Sequence, residues 1–180
     1  FMTKPSAALV EDIKKIDGDI LILGIAGKMG PTLAKMAKRA AEEAGIEKRI
    51  IGVARFSNKE MKEELEAAGI ETITCDLLDE EQLDQLPEIP NVIFMAGNKF
   101  GTVNNEHFTW AMNTYVPGRV ADKYKDSNIV VFSSGNIYPF TPVAAGNCGE
   151  DVTPVPVGEY AMSTLGRERI FSNFSNRFET

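Results

Sequence analysis

Residues 20–30 of this 180-residue chain constrain its fold more than any other stretch: Ile20-Leu21-Ile22-Leu23 runs straight into Gly24-Ile25-Ala26-Gly27-Lys28-Met29-Gly30, and Pro31 then opens a helical pattern. A run that is apolar at every position reads as a strand covered on both faces. Proline at the first helical turn and the stripe Leu33, Met36, Ala37, Ala40, Ala44, closed by Gly45, read as an amphipathic helix. Between them the glycines have separable uses. The first permits a tight turn, the second lets backbone approach a pyrophosphate, and the third packs helix on strand, while the helix N-terminus offers unpaired N–H groups and a positive dipole end. A glycine triplet alone would mean only a turn. Its strand–turn–helix setting points to a nucleotide held on Gly24, Gly27 and Gly30, with Lys28 and Met29 in the turn beside it.

The rest of the chain repeats the alternation. Strand-like segments fall at 50–54, 71–75, 91–96 and 128–133, rich in Ile, Val, Thr and Phe. Helix signals lie between them: Ser57-x-x-Glu60 before Met61 to Ala68, with Gly69 as the stop, and Asp79-x-x-Gln82 before a shorter helix. A long helix is expected from about Glu106 to Lys125, kinked at Pro117-Gly118, and a last one from about Glu159 to Phe174. Together these predict an α/β fold, a Rossmann-type doubly wound parallel sheet flanked by helices, with right-handed crossovers. It occupies residues 19–180, after a helical extension over 1–18 carrying Leu9, Val10, Ile13 and Ile16. Residues 139–158, dense in proline and glycine, break the pattern and read as a long functional loop.

Net charge −7 and a pI near 4.9 argue against nucleic acid or an anionic membrane as partner, since both reward a basic face. A small soluble ligand fits better. Cys75 and Cys148 are far apart without metal-ligand spacing, and no secretory pattern opens the chain, so a cytoplasmic location is expected. His107 has no partner at metal spacing, and no metal site is expected. No apolar run reaches the ~18 residues that a membrane span needs.

Where an NAD enzyme usually presents Asp or Glu to the adenosine ribose, at the end of the second strand, this chain has Ala54-Arg55-Phe56-Ser57. Arg55 suits a 2′-phosphate or an adenine face, which favours NADP over NAD; the alternative is a solvated arginine. Asp76, followed by Leu77, either accepts from the adenine amino group or caps a turn.

The glycine pattern, Asp76, the Ala96-Gly97 turn, Asn113, the stretch Ser133-Ser134-Gly135-Asn136-Ile137-Tyr138 and Tyr160 stand in an order and spacing that resemble the extended short-chain dehydrogenase/reductase superfamily of NAD-dependent epimerases and dehydratases. The resemblance runs from about Asp19 to Glu168. It implies that Ser134 hydrogen-bonds the reacting substrate oxygen, that Tyr160 is the acid/base while hydride moves to or from the nicotinamide, and that Asn113 steadies the long helix. Gly135-Asn136 stand where dehydratases of this branch carry Asp-Glu, so sugar dehydration is not expected. The departure is Thr164: the family motif is Tyr-x-x-x-Lys, and a threonine cannot supply the lysine's charge. Arg167 follows on the same helical face and is the candidate to supply part of that field, while Lys28, in the glycine turn, and Lys99, after the fourth strand, are candidates to meet phosphate or an anionic substrate group, the alternative being solvated lysines.

The resemblance thus implies an NAD(P)-binding oxidoreductase or epimerase acting on a sugar-like alcohol or nucleotide sugar, and a homodimer built on the Asn113 and Tyr160 helices, where Trp110, Met112, Val116, Leu165 and Ile170 are apolar groups that could serve either core or interface. The alternatives are a non-catalytic cofactor-binding sensor or scaffold, or a fragment whose apolar edge binds a partner. Relatives continue into a sixth strand and a substrate lobe, and this sequence stops before both, so a domain truncated at its C-terminal end is expected.

Overall fold

Leu21, Ile22 and Leu23 are fully buried, and Ile20 nearly so, which places their strand β1 (Ile20–Leu23) where a four-residue apolar run can satisfy both faces, the middle of a sheet. The computed structural model describes residues 2–146, 148–178 and 180. In it β2 (Ile50–Ala54) and β4 (Asn91–Phe94) flank β1, and β3 (Glu71–Thr74) and β5 (Asn128–Val131) form the edges. The order is β3-β2-β1-β4-β5 and every pairing is parallel, with Ile20 opposite both Ile50 and Asn91.

Side chains alternate along β1 and divide the core in two. Ile20 and Ile22 meet Ala34 of α2 (Gly30–Glu43) and Leu65 of α3 (Lys59–Ala67) on one face. Leu21 and Leu23 meet Val116 and Val120 of α6 (Val116–Lys123) and Phe171 of α7 (Gly158–Phe178) on the other. Each such aliphatic side chain contributes roughly 1.5–3 kcal/mol by leaving water, so β1 anchors both layers. The edge strands are half-open, and Val130 of β5 is 59% exposed.

Before β1, α1 (Ala7–Ile13) is capped by the Ser6 side chain and lays Ile13 and Leu9 on Ala40, Ala41 and Ala44 of α2. The buried Lys48 fixes the passage from α1 to β1 by donating its ammonium to the carbonyls of Ile16 and Gly18. Among the described residues no helix is long and apolar enough to cross a membrane.

Three local features differ from, or sharpen, what the sequence suggests. The cap of α3 is Asn58, whose side chain accepts from the Met61 N–H, rather than Ser57; Asn reaches that N–H from one residue nearer. In α4 (Glu80–Asp84) Asp79 caps as expected, but Gln82 turns back to the Asp79 carboxylate and also accepts from the Asp76 N–H, joining the helix to the end of β3. The helix expected to be kinked at Pro117-Gly118 is not one regular α-helix. Instead α5 (Glu106–Trp110) passes through a π-helical turn, Ala111–Tyr115, and Pro117 sits in the first turn of α6. Proline cannot donate to the carbonyl four residues back, that of Asn113, and its ring would crowd it. The wider turn relieves both problems one turn earlier.

Candidate cofactor cleft and its polar floor

The C-terminal ends of β1 to β4 open into a cleft of about 270 Å³. It lies where the chain leaves β1 for one side of the sheet and β4 for the other, the place where connections diverge in an open α/β sheet. Gly24, Ala26 and Gly27 form one wall; Arg55, Asp76 and Leu77 line the β2–β3 end; Ala96, Gly97 and Met112 line the β4 end.

The three glycines of the turn are not equivalent. Gly24 has φ +89°, and a Cβ there would stand 2.6 Å from the Ala96 nitrogen; on Gly30 a Cβ would stand 2.1 Å from the Ile25 carbonyl oxygen. Packing alone requires both to be glycine. Gly27 is exposed, and its nearest obstacle to a Cβ is the Gly24 oxygen at 3.4 Å, ordinary contact. The fold leaves that space on the cleft wall open to a ligand. Lys28 and Met29 are exposed beside it, and α2 begins at Met29 with no side-chain cap, so its first N–H groups are left for something else to satisfy. The glycine geometry and the uncapped helix both fit a diphosphate.

At the β2 end Phe56 takes φ +45° and is buried, 8% exposed, which leaves Arg55 and Ser57 exposed at the rim. Cys75 forms part of the wall; burial first, and the nearby Asp76 carboxylate second, push its thiol up to about 11, so it presents a neutral, apolar surface. Asp76 caps the following turn, accepting from the Leu78 N–H at 3.1 Å, and also lines the cleft.

Behind the β4 end lies a polar floor centred on Asn113, which is fully buried in the π-helical turn. Its Oδ1 accepts from the Asn98 N–H at 2.7 Å and from Arg167 Nη2 at 3.1 Å; its Nδ2 donates to the Asn98 carbonyl at 2.9 Å and to Ser163 Oγ at 3.0 Å. The amide thereby uses its full capacity. Arg167, 6% exposed, also donates Nη1 to the Phe132 carbonyl at 2.9 Å and lies 5.3 Å from the Phe94 ring centroid, while its Nε has no partner among the described residues. Burial pushes this guanidinium below its ordinary value, yet it stays charged. A Cβ on Gly97 would come within 2.5 Å of Arg167 Nη2, so the guanidinium stands directly behind the cleft wall.

The remaining sequence candidates lie around this floor. Ser134 closes the 3₁₀ turn Gly135–Ile137, its Oγ 3.2 Å from the Asn136 N–H and 3.3 Å from Asn136 Oδ1, and that turn packs on α7. Tyr160 is half-buried in the first turn of α7, and Lys99 Nζ lies 5.7 Å from its ring centroid. Thr164 is fully buried and donates its hydroxyl to the Tyr160 carbonyl at 2.8 Å, a bond internal to the helix. Neither Ser134 nor Tyr160 lines the cleft, and among the described residues no hydrogen bond joins the two. His107 is exposed in α5, and among the described residues no three His, Cys, Asp or Glu side chains cluster as a metal site. Sequence reasoning missed Asn98 and Ser163, because their role depends on a side chain reached across the fold, Asn113, and neither has a local pattern.

A parallel sheet in this order, a glycine turn feeding a helix N-terminus and a crevice at the strand ends define a Rossmann-type domain. The model of the NAD dependent epimerase/dehydratase family matches residues 20–180, and the chain belongs to that family. Among solved structures it is similar to the UDP-Glc/GlcNAc 4-epimerase of Campylobacter jejuni (20% identity, TM-score 0.74, 89% of this chain and 50% of that one). It is also similar to the dTDP-glucose 4,6-dehydratase DesIV of Streptomyces venezuelae, solved with NAD (15%, 0.78, 89% and 52%). A third is the UDP-glucuronic acid 4-epimerase of Bacillus cereus in complex with NAD (19%, 0.71, 89% and 53%). The chain thus spans about half the length of these proteins. Comparison with curated proteins gave no match.

The glycine geometry separates fold from ligand. Gly27→Val is expected to keep the thermal midpoint within a few degrees and to abolish dinucleotide binding in calorimetry, whereas Gly30→Val lowers stability by about 3 kcal/mol or more through overpacking against backbone. Undiminished binding by Gly27→Val would remove the cleft from consideration.

Proposed function

We propose that this chain is the cofactor-binding part of an NAD(P)-dependent oxidoreductase or epimerase of the extended short-chain dehydrogenase type, acting on a sugar-like alcohol or nucleotide sugar. The observation that carries the reading is Gly27, a glycine that neither backbone angle nor packing requires, placed on the cleft wall before an uncapped helix. The B. cereus enzyme, solved with UDP-glucuronic acid and NAD, supports the substrate class. Gly24, Gly27, Lys28, Met29 and Gly30 would hold the diphosphate; Arg55, Asp76 and Leu77 the adenosine; Ala96, Gly97 and Tyr160 the nicotinamide half. When bound, the nicotinamide supplies the hydride acceptor or donor. Tyr160 would move the proton at the reacting oxygen, Ser134 would hydrogen-bond that oxygen after releasing Asn136, and Asn113 would fix the floor beneath them.

A second reading has its own support. Thr164 is buried and its hydroxyl is committed to the Tyr160 carbonyl, so it can neither charge the site nor reach a ribose. A chain that binds cofactor without turnover, as sensor or scaffold, follows if nothing replaces the missing lysine. Tyr160→Phe separates the two readings. It should abolish nicotinamide absorbance changes across a panel of sugar and alcohol substrates while leaving cofactor affinity within about twofold; no turnover by the unmodified protein with any substrate would favour the binding module.

Cofactor choice rests on Arg55, exposed at the rim at the end of β2, the position where an NAD enzyme usually presents a carboxylate to the ribose hydroxyls. NADP is expected to bind more tightly than NAD in calorimetry, and Arg55→Asp to erase or reverse the preference. Tighter NAD binding by the unmodified protein would show that the arginine stays in solvent.

The helices carrying Asn113 and Tyr160 also present a groove lined by Trp110, Thr114, Tyr115, Arg119 and Ile170, with Trp110 and Tyr115 37% and 48% exposed. It is proposed as the homodimer face. Light scattering should give twice the chain mass at micromolar concentration, and Trp110→Glu should give the monomer; a concentration-independent monomer mass for the unmodified chain would exclude the dimer.

A further inference from the structure

We propose that Lys99, in the loop after β4, carries the positive charge that relatives place on the helix at the position of Thr164, and that its ammonium serves the nicotinamide riboside half of the cofactor beside Tyr160. The inference rests on the cofactor reading given above and adds a residue to it.

A cation beside Tyr160 can come from only a few places. Position 164 offers none, because its side chain is a buried threonine turned back into the helix. Arg167, one turn further along α7, is held by the Phe132 carbonyl and Asn113 Oδ1, behind Gly97 and away from solvent. Its charge is fixed to the floor, where it organises Asn113 and reaches Tyr160 through the field alone. Lys99 is the reverse case: it is exposed, makes no ion pair among the described residues, and sets its ammonium 5.7 Å from the Tyr160 ring centroid and 5.8 Å from that of Phe100. Ammonium groups at such distances are drawn to aromatic faces and keep their remaining donors for other partners.

The anchoring of the loop makes this placement more than the chance position of a surface lysine. The preceding residue, Asn98, is tied through both its N–H and its carbonyl to the Asn113 amide, and its side-chain Nδ2 donates to Thr109 Oγ1 at 3.1 Å. Lys99 therefore begins one residue from a fixed point on the floor and two residues from Gly97 on the cleft wall. A four-carbon stem rooted there can bring an ammonium to the β4 end of the cleft, whereas the diphosphate would lie at the start of α2. The charge has moved from helix to loop, and the tyrosine has kept a cation.

The test uses the chain as it stands and calorimetric titration with three ligands: NADP, NAD and ADP, the last keeping adenosine and diphosphate but lacking the nicotinamide riboside. Lys99→Met is expected to weaken the tighter-binding dinucleotide about tenfold, the size of one lost charge-assisted hydrogen bond. ADP affinity and the thermal midpoint should not change, Lys99→Arg should retain most of the affinity, and the salt dependence of dinucleotide binding should fall in Lys99→Met alone. Unchanged dinucleotide affinity in Lys99→Met overturns the inference and leaves the cleft assignment intact. Equal weakening of ADP and dinucleotide also overturns it, by placing the lysine on the diphosphate, as does a Lys99→Arg loss equal to that of Lys99→Met. A chain that binds none of the three ligands overturns the cofactor reading, and this inference with it.

Discussion

The burial of β1 on both faces is the constraint from which the other features follow. A strand with no polar side chain needs a helix layer above and below, and parallel neighbours connected through those layers supply both. Parallel strands then end together at one edge, and the loops leaving β1 and β4 must part there. The cleft is the space they leave. Two contacts keep it in shape, Gly24 against the Ala96 backbone and Gly30 against the Ile25 carbonyl. Both are so close that the strand, turn and helix behave as one unit.

The second organising element is a single amide. Asn113 satisfies four hydrogen bonds drawn from the loop after β4 and from α7, so one side chain sets the relative position of segments far apart in sequence. It can do so because the π-helical turn at Ala111–Tyr115 relaxes the regular helical spacing beside Pro117. A buried network of this kind is rigid while every member is satisfied and costly when one is lost. Among the described residues the unpartnered Arg167 Nε is its one open position.

Legibility in the sequence followed the range of the interaction. The strands, the glycine stops at Gly45 and Gly69 and the Asp79 cap depend on neighbours within a few residues, and they stand near where their patterns placed them. The cap at Asn58 and the helix irregularity were displaced by one residue and by one turn, because local preference does not decide between adjacent solutions. The glycine turn was legible as a whole, but not the division of labour within it; that needed the Ala96 and Ile25 backbones in space. The polar floor was least legible of all. Asn98, Ser163 and the buried course of Arg167 belong to no periodicity, and their meaning comes from contacts spanning fifteen to fifty-four positions.

The buried guanidinium of Arg167 also bears on how the protein meets small anions. The chain as a whole carries net charge −7, so at long range it repels them. That repulsion comes from exposed side chains and fades within a Debye length, about 8 Å at physiological salt. Behind Gly97 the sign is opposed by a buried cation that makes no direct ion pair among the described residues, with Glu168 its nearest carboxylate influence, seen through a thin wall of protein that salt ions do not enter. An anionic molecule would therefore feel an attraction at the cleft that raising the ionic strength scarcely weakens, while the repulsion outside it disappears.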